Sequence, residues 1–164
     1  MDSKGEPLVG GPGGSAPWPY SSIARAADGG IDVGLVWLAM RKNLFRLWIV
    51  AGAAAGLFGV AMAAYAAHAP IDPAARAVLH GAVEMQLWHA LALVAVGIWV
   101  RTGGGVLADW AGGAFLLGVL GFCGAIYGHT LLDVHLPMLA PTGGTLLMIG
   151  WGLLGLSAIR TRLA

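Results

Sequence analysis

The sequence predicts an all-α integral membrane protein, an up-down bundle of four transmembrane helices behind a flexible N-terminal tail. Of its 164 residues, 58% are hydrophobic and 10% are charged, whereas a soluble domain carries about 25% charged residues. The mean hydropathy of +0.78 agrees with this imbalance. Because so few polar side chains cannot cover a surface that faces water, the expected environment of the chain is a lipid bilayer.

Charge and cysteine content exclude several other classes of protein. Nine Lys and Arg residues against eight acids leave a net charge of +1, which is too balanced for the basic field that nucleic-acid binding requires. The single cysteine, Cys123, permits neither an intrachain disulfide nor a cysteine-rich metal site. We therefore expect no nucleic-acid partner.

The amino-terminal part is predicted to lie outside the bundle. Residues 1–30 are rich in Gly, Pro and Ser and show no sustained apolar period, which predicts a disordered tail. Residues 31–46 are first apolar and then basic, and their apolar run is too short to cross a bilayer. This segment is predicted to be either an interfacial helix or a solvated linker.

Residues 47–160 are predicted to form the transmembrane domain, with spans at about 47–67, 81–100, 110–132 and 142–159. The first span carries no formal charge, and at ~1.5 Å per residue it matches the ~30 Å hydrocarbon core. The loops HAPIDPAAR, RTGGG and DVHLPMLAPT are short and contain helix-breaking Pro or Gly. Short loops between long helices predict antiparallel neighbours.

The distribution of basic residues predicts the orientation. One side of the membrane would receive Arg41, Lys42, Arg46, Arg101, Arg160 and Arg162, and the other side would receive Arg76. Since basic loops stay in the cytoplasm, we expect a bacterial inner-membrane protein with both termini cytoplasmic. Trp48, Trp99 and Trp110 fall at the predicted inner boundary, where aromatic belts form.

Small residues recur every three or four positions in the spans, which predicts close helix packing in lipid. They include Gly52, Gly56 and Gly59 in the first span, Gly121, Gly124 and Gly128 in the third, and Gly150, Gly152 and Gly155 in the fourth.

Polar residues in the outer half of the spans are the candidates for a site. His89 is predicted near mid-membrane and shares a helical face with Gln86, whereas Glu84 points elsewhere. The candidate polar site comprises His68, Gln86, His89, Tyr127 and His129, with His80, Glu84 and Asp133 as secondary candidates. Three hypotheses remain open for these residues, namely hydrogen bonds between helices, a metal or haem site, and a path for protons or small solutes.

Four motifs, one per span, carry a family resemblance. They are AYAAH ending at His68, EMQLWHALAL with Gln86 and His89, GFCGAIY ending at Tyr127, and APTGGTLLMIGWGLL. Over about residues 46–160 the chain resembles the bacterial inner-membrane proteins of the domain-of-unknown-function 423 family. It departs from the family pattern at Met85, where Tyr is favoured. The resemblance implies four spans and no agreed activity, and it draws attention to Pro141, Gly143 and Gly144 at the start of the fourth helix.

The leading hypothesis from the sequence is a structural or interaction component of the membrane, either a small homo-oligomer or part of a larger membrane complex. The alternative is an outward-facing site that binds or transports a small solute, protons or a metal through the intramembrane His and Gln residues. No catalytic residue, metal or cofactor is predicted, because no nucleophile, zinc-helix or phosphate-loop motif occurs.

Overall fold

The computed structural model describes residues 33–160, with side chains from residue 43 onward, and it confirms the all-α prediction. Four helices follow one another, α1 (Val33–His68), α2 (Pro73–Arg101), α3 (Gly105–Leu132) and α4 (Leu139–Arg160), with no strand among the described residues. Each helix contains a segment long and apolar enough to cross a membrane; the segment in α1 is Asn43–His68. The predicted tail, residues 1–30, lies outside the described residues.

The described chain divides into two units between Ala39 and Met40. The bundle described below lies after this division. Residues 33–46, for which the sequence left open an interfacial helix or a linker, are helical and continue into the first span without a break.

The second helix begins at Pro73 rather than at about residue 81, because the loop before it carries a helix cap. The Asp72 carboxylate accepts hydrogen bonds from the backbone N–H groups of Ala74 (2.8 Å) and Ala75 (3.1 Å), which are donors that a helix start leaves unpaired. Pro73 needs no such partner because it has no N–H. The first loop is therefore shorter than the sequence indicated.

Arg76 of α2 bonds to the other end of this loop, next to the end of α1. Its guanidinium donates hydrogen bonds to the backbone carbonyls of Ala66, Ala67 and Ala69 at the end of α1. Ala66 and Ala67 lie in the last turn of α1, where some carbonyls lack a partner within the helix and a cation is favoured, and Ala69 follows the helix directly. The basic residue of this loop thus ties the start of α2 to the end of α1.

Helices α2 and α3 form the centre of the bundle. In their most apolar windows 50% and 44% of the residues are buried, against 22% in both α1 and α4. The largest fully buried apolar side chains are Phe115 of α3 and Leu79, Leu93 and Val96 of α2. The outer helices expose more of their apolar surface, as a bundle in lipid permits.

The predicted close packing of small residues is confirmed at several glycines. A Cβ at Gly52 of α1 would lie 2.7 Å from the Ala90 carbonyl oxygen of α2, and one at Gly143 of α4 would collide with the Phe122 backbone of α3. The prediction is wrong for Gly124, Gly152 and Gly155, which have nothing within 4 Å of an added Cβ. An added methyl group at these positions would therefore meet open space.

The aromatic-belt prediction is wrong for Trp48. Its side chain is 6% exposed and its indole N–H donates to Oδ1 of Asp109 at 3.2 Å. The hydrogen bond to Asp109 of α3 therefore holds this indole inside the bundle. Trp110 is exposed, as the belt prediction requires, whereas the indole of the half-buried Trp99 donates to Ser157 Oγ of α4 at 3.1 Å.

Candidate functional site

Gln86 joins three helices. It lies on the inward face of α2 and is 3% exposed. Its side-chain N–H donates to the backbone carbonyl of Ala55 on α1 at 2.6 Å, and its Oε1 accepts the hydroxyl of Tyr127 on α3 at 2.8 Å. A polar side chain in lipid is costly unless it has such partners. The amide N–H and the amide carbonyl of Gln86 each have a hydrogen-bond partner here. We call this set of contacts the Gln86 junction.

A small cavity adjoins the Gln86 junction between α1 and α3. It has a volume of about 300 Å³, and its walls are mostly apolar, with Phe58, Leu116 and Cys123 beside the two polar side chains. The ring of Phe58 packs edge-on against Tyr127, with the ring centroids 5.8 Å apart. Since the polar atoms facing this space are already paired, it is an apolar packing gap.

His89 makes a second junction, one helical turn further along α2, and its two contacts define its tautomer. Its Nε2 accepts the indole N–H of Trp151 at 3.2 Å, while its Nδ1 lies 2.7 Å from the Met85 carbonyl. A nitrogen that accepts must present a lone pair, so the ring proton sits on Nδ1 and is donated to Met85. Both ring nitrogens of a neutral imidazole are thereby occupied.

The ring of His89 packs against two aromatic rings, those of Phe115 and Trp151. Phe115 of α3 lies 5.6 Å from the His89 ring and 5.2 Å from the Trp151 ring, in tilted and edge-to-face arrangements that aromatic pairs prefer. A groove of about 590 Å³ opens beside them between α2 and α4, lined mostly by apolar side chains such as Trp88, Leu147 and Met148. Such a groove suits an apolar occupant better than a polar solute.

The remaining predicted site residues do not join these junctions. His68, His80 and Glu84 are all exposed, the first at the end of α1 and the other two on one side of α2. Glu84 faces outward, as its helical spacing from Gln86 and His89 predicts, and lies beside Trp88 and Leu91. The structure therefore separates the predicted polar site into several places.

His129 and Asp133 lie together at the end of α3, with a residue that was not among the sequence candidates. The ring of His129 packs edge-on against that of His135, with centroids 4.1 Å apart. Nδ1 of His135 lies 3.8 Å from Oδ1 of Asp133, and all three residues are exposed.

The Pro141, Gly143 and Gly144 motif lies in the first turns of α4. Pro141 occupies the third helical position, where its missing N–H costs no helical bond. Gly143 packs against the backbone of Gly118 and Gly121, and Gly144 lies beside the Phe122 ring. This motif allows α4 to approach α3 closely.

The sequence does not reveal which side chains form hydrogen bonds with His89 and Trp99. Trp151 binds His89 and Ser157 binds Trp99, yet neither stands out in the sequence, because the pairs are 62 and 58 residues apart. Cys123, buried on α3, donates through its thiol to the Ala82 carbonyl of α2 at 3.4 Å. Through these contacts α2 is hydrogen-bonded to each of the other three helices.

Comparison with known proteins agrees with this architecture. The sequence model of a family described as "Protein of unknown function (DUF423)" matches residues 61–144. A UPF0382 membrane protein of Staphylococcus haemolyticus is 30% identical over 119 residues, covering 70% of this chain and 97% of that protein. One from Staphylococcus aureus is 31% identical over 110 residues, covering 65% and 89%. No solved structure matches the chain.

Proposed function

This chain belongs to the DUF423 family, and from that premise we propose that it serves as a structural and interaction component of the membrane that pairs with a second copy of itself. It is a multi-pass membrane protein with four membrane-spanning helices. The observation that carries the proposal is that the buried polar side chains of α2 are occupied by contacts within the bundle.

The polar groups of the Gln86 and His89 junctions already have partners within the bundle. The Gln86 amide bonds to Ala55 and Tyr127, and both nitrogens of His89 are engaged. A solute or proton path requires polar groups that exchange partners along an aqueous route. The alternative, a binding or transport site on the intramembrane His and Gln residues, is therefore not favoured.

We propose that the protein lies in the bacterial inner membrane with both termini in the cytoplasm, because of the basic residues near the helix ends. Among the residues with described side chains, Arg46, Arg101 and Arg160 lie at one end of the up-down bundle and Arg76 at the other. A cysteine introduced at Ala74 should react with an impermeant reagent from outside the cell, and one at Thr102 should react after lysis. The reverse pattern would contradict this orientation.

The surface offered to a second copy is a stripe of exposed residues along α2. It repeats about every 3.6 residues, so it follows one face of the helix. We call it the α2 stripe, and its members are His80, Glu84, Trp88, Leu91, Ala95 and Ile98. A carboxyl group on the membrane-facing side of a span is costly without a partner.

Two-fold symmetry offers Glu84 such a partner. Around an axis along the membrane normal, the two α2 helices would run parallel, with identical residues at equal depth. His80 lies one turn, ~6 Å, from Glu84 along the helix, so the imidazole of one copy reaches the carboxyl of the other across the interface. Trp88 and Leu91 would supply the apolar contact below this pair.

Disulfide cross-linking in native membranes tests the pairing. On a Cys123→Ala background, Leu91→Cys places a thiol on the α2 stripe, and Leu120→Cys places one on α3. These positions are matched controls because the native side chains are 65% and 61% exposed. We expect mild oxidation to give a dimer with Leu91→Cys and a monomer with Leu120→Cys. A monomer for both, together with a monomer mass in mild detergent, would overturn the pairing.

A further inference from the structure

The junction between α3 and α4 carries a cluster of side chains that plays no part in the helix contacts described above. It consists of His129 in the last turn of α3, Asp133 at its end and His135 in the following loop. We propose that these three residues bind a divalent transition-metal ion at this end of the bundle, with Zn²⁺ as the representative ion. The site is separate from the buried Gln86 and His89 junctions.

The local backbone explains why the three side chains meet. His129 and Asp133 are four residues apart and so lie on the same side of the helix end. Asp133 adopts the left-handed conformation, with φ of 55°, and the Val134 N–H bonds back to the Gly128 carbonyl at 3.0 Å. This is a common way to end a helix. The reversal carries His135 back over His129.

The distances are close to those of a metal site. One ligand atom from each residue lies within 4.8 Å of the other two. With bonds of ~2.1 Å, a tetrahedral zinc ion holds its ligand atoms ~3.4 Å apart. Rotation of these exposed side chains supplies the remaining shift of up to about 1.4 Å.

The donor set selects the class of ion. Two imidazole nitrogens and one carboxylate oxygen suit Zn²⁺, Cu²⁺ and Ni²⁺, whereas Ca²⁺ and Mg²⁺ prefer oxygen ligands alone. The Nδ1 of His135 lies 3.3 Å from the Asp133 carbonyl, so a proton on that nitrogen is bonded and Nε2 remains for the ion. The exposed side chains, 67% for His135 and 94% for Asp133, leave a path from water and a position for a water ligand.

Zinc titration of the full chain in nanodiscs, with any affinity tag removed, tests this site. Competition with a colorimetric chelator should give one Zn²⁺ per chain. His135→Ala and Asp133→Asn should each weaken binding by roughly tenfold or more. Asn tolerates the left-handed conformation of Asp133, so the second variant removes a ligand while keeping the helix end. His68→Ala is the matched control, because it replaces an exposed histidine outside the cluster.

A second readout identifies the ligands directly. With Cu²⁺ in place of Zn²⁺, electron paramagnetic resonance should show nitrogen coupling from two imidazoles, reduced to one in His135→Ala. Unchanged melting of each variant would establish that the bundle is intact. The proposal is overturned if zinc fails to bind saturably, or if the cluster variants bind zinc as well as His68→Ala does.

Discussion

The hydroxyl of Tyr127 donates a 2.8 Å hydrogen bond to the side-chain carbonyl of Gln86, whose amide N–H donates in turn to the Ala55 carbonyl. One side chain therefore connects α1, α2 and α3. Helices in lipid gain little from the hydrophobic effect when they associate. Such polar junctions fix which helix faces which, while the small residues set how close the helices come.

Replacing Tyr127 by Phe should destabilise the bundle by ~0.5–1.5 kcal/mol, because Gln86 Oε1 loses its donor in a buried place. Unfolding in mixed micelles, followed by intrinsic tryptophan fluorescence, measures the change. Tyr65→Phe removes a hydroxyl from an exposed tyrosine of α1 and should have almost no effect. Equal losses in the two variants would show that the Tyr127 hydroxyl contributes nothing specific.

Replacing His89 by Leu should lower stability and leave ion permeability unchanged. The variant removes the acceptor of the Trp151 indole N–H, so Trp151→Phe should produce a loss of similar size. Proteoliposomes carrying a pH-sensitive dye measure proton flux for the parent chain and for both variants. Proton flux in the parent that disappears with His89→Leu, in a variant that still folds, would restore the transport hypothesis.

Much of the fold could be predicted because the spans are encoded locally. Long uncharged segments between Pro- and Gly-rich loops indicate four crossings whatever their tertiary partners are. Apolar content alone predicts that α2 starts near residue 81, later than the observed start at Pro73. The actual signal is the Asp72 cap followed by Pro73, which adds a more polar extension to the helix.

Replacing Gly143 by Ala should cost at least ~1–3 kcal/mol or prevent accumulation of the folded chain. Its added Cβ would collide with the Phe122 backbone, which cannot rotate away as a side chain does. Gly152→Ala is a matched control on the same helix, since nothing lies within 4 Å of its Cβ position. The amount of monodisperse protein and its melting temperature compare the two. If Gly152→Ala were the more damaging change, the assigned packing of α4 on α3 would be wrong.

Replacing Arg76 by Gln should loosen the end of α1, because three backbone carbonyls lose a charged donor. Hydrogen exchange measured by mass spectrometry should become faster in the peptide containing residues 66–71. Arg160→Gln changes an exposed arginine at the opposite end of the bundle and should leave that peptide unaffected. Unaltered exchange in Arg76→Gln would contradict the capping role.

The candidate site was harder to predict than the fold. Helical spacing correctly separates Gln86 and His89 from Glu84, because that separation depends on one helix alone. The partners Tyr127 and Trp151 come from other helices, so their pairing depends on rotations that spacing does not reveal. His135 joins His129 through the left-handed conformation of Asp133, which no helical or apolar period indicates.

A double-mutant cycle between Gln86 and Tyr127 tests the central claim that buried polar contacts hold the helices in register. The free energy of unfolding is measured for the parent, Gln86→Leu, Tyr127→Phe and the double variant. We expect the two changes to be non-additive, with a coupling of ~0.6 to 1.7 kcal/mol. Losses that simply add, with a coupling near zero, would contradict the claim.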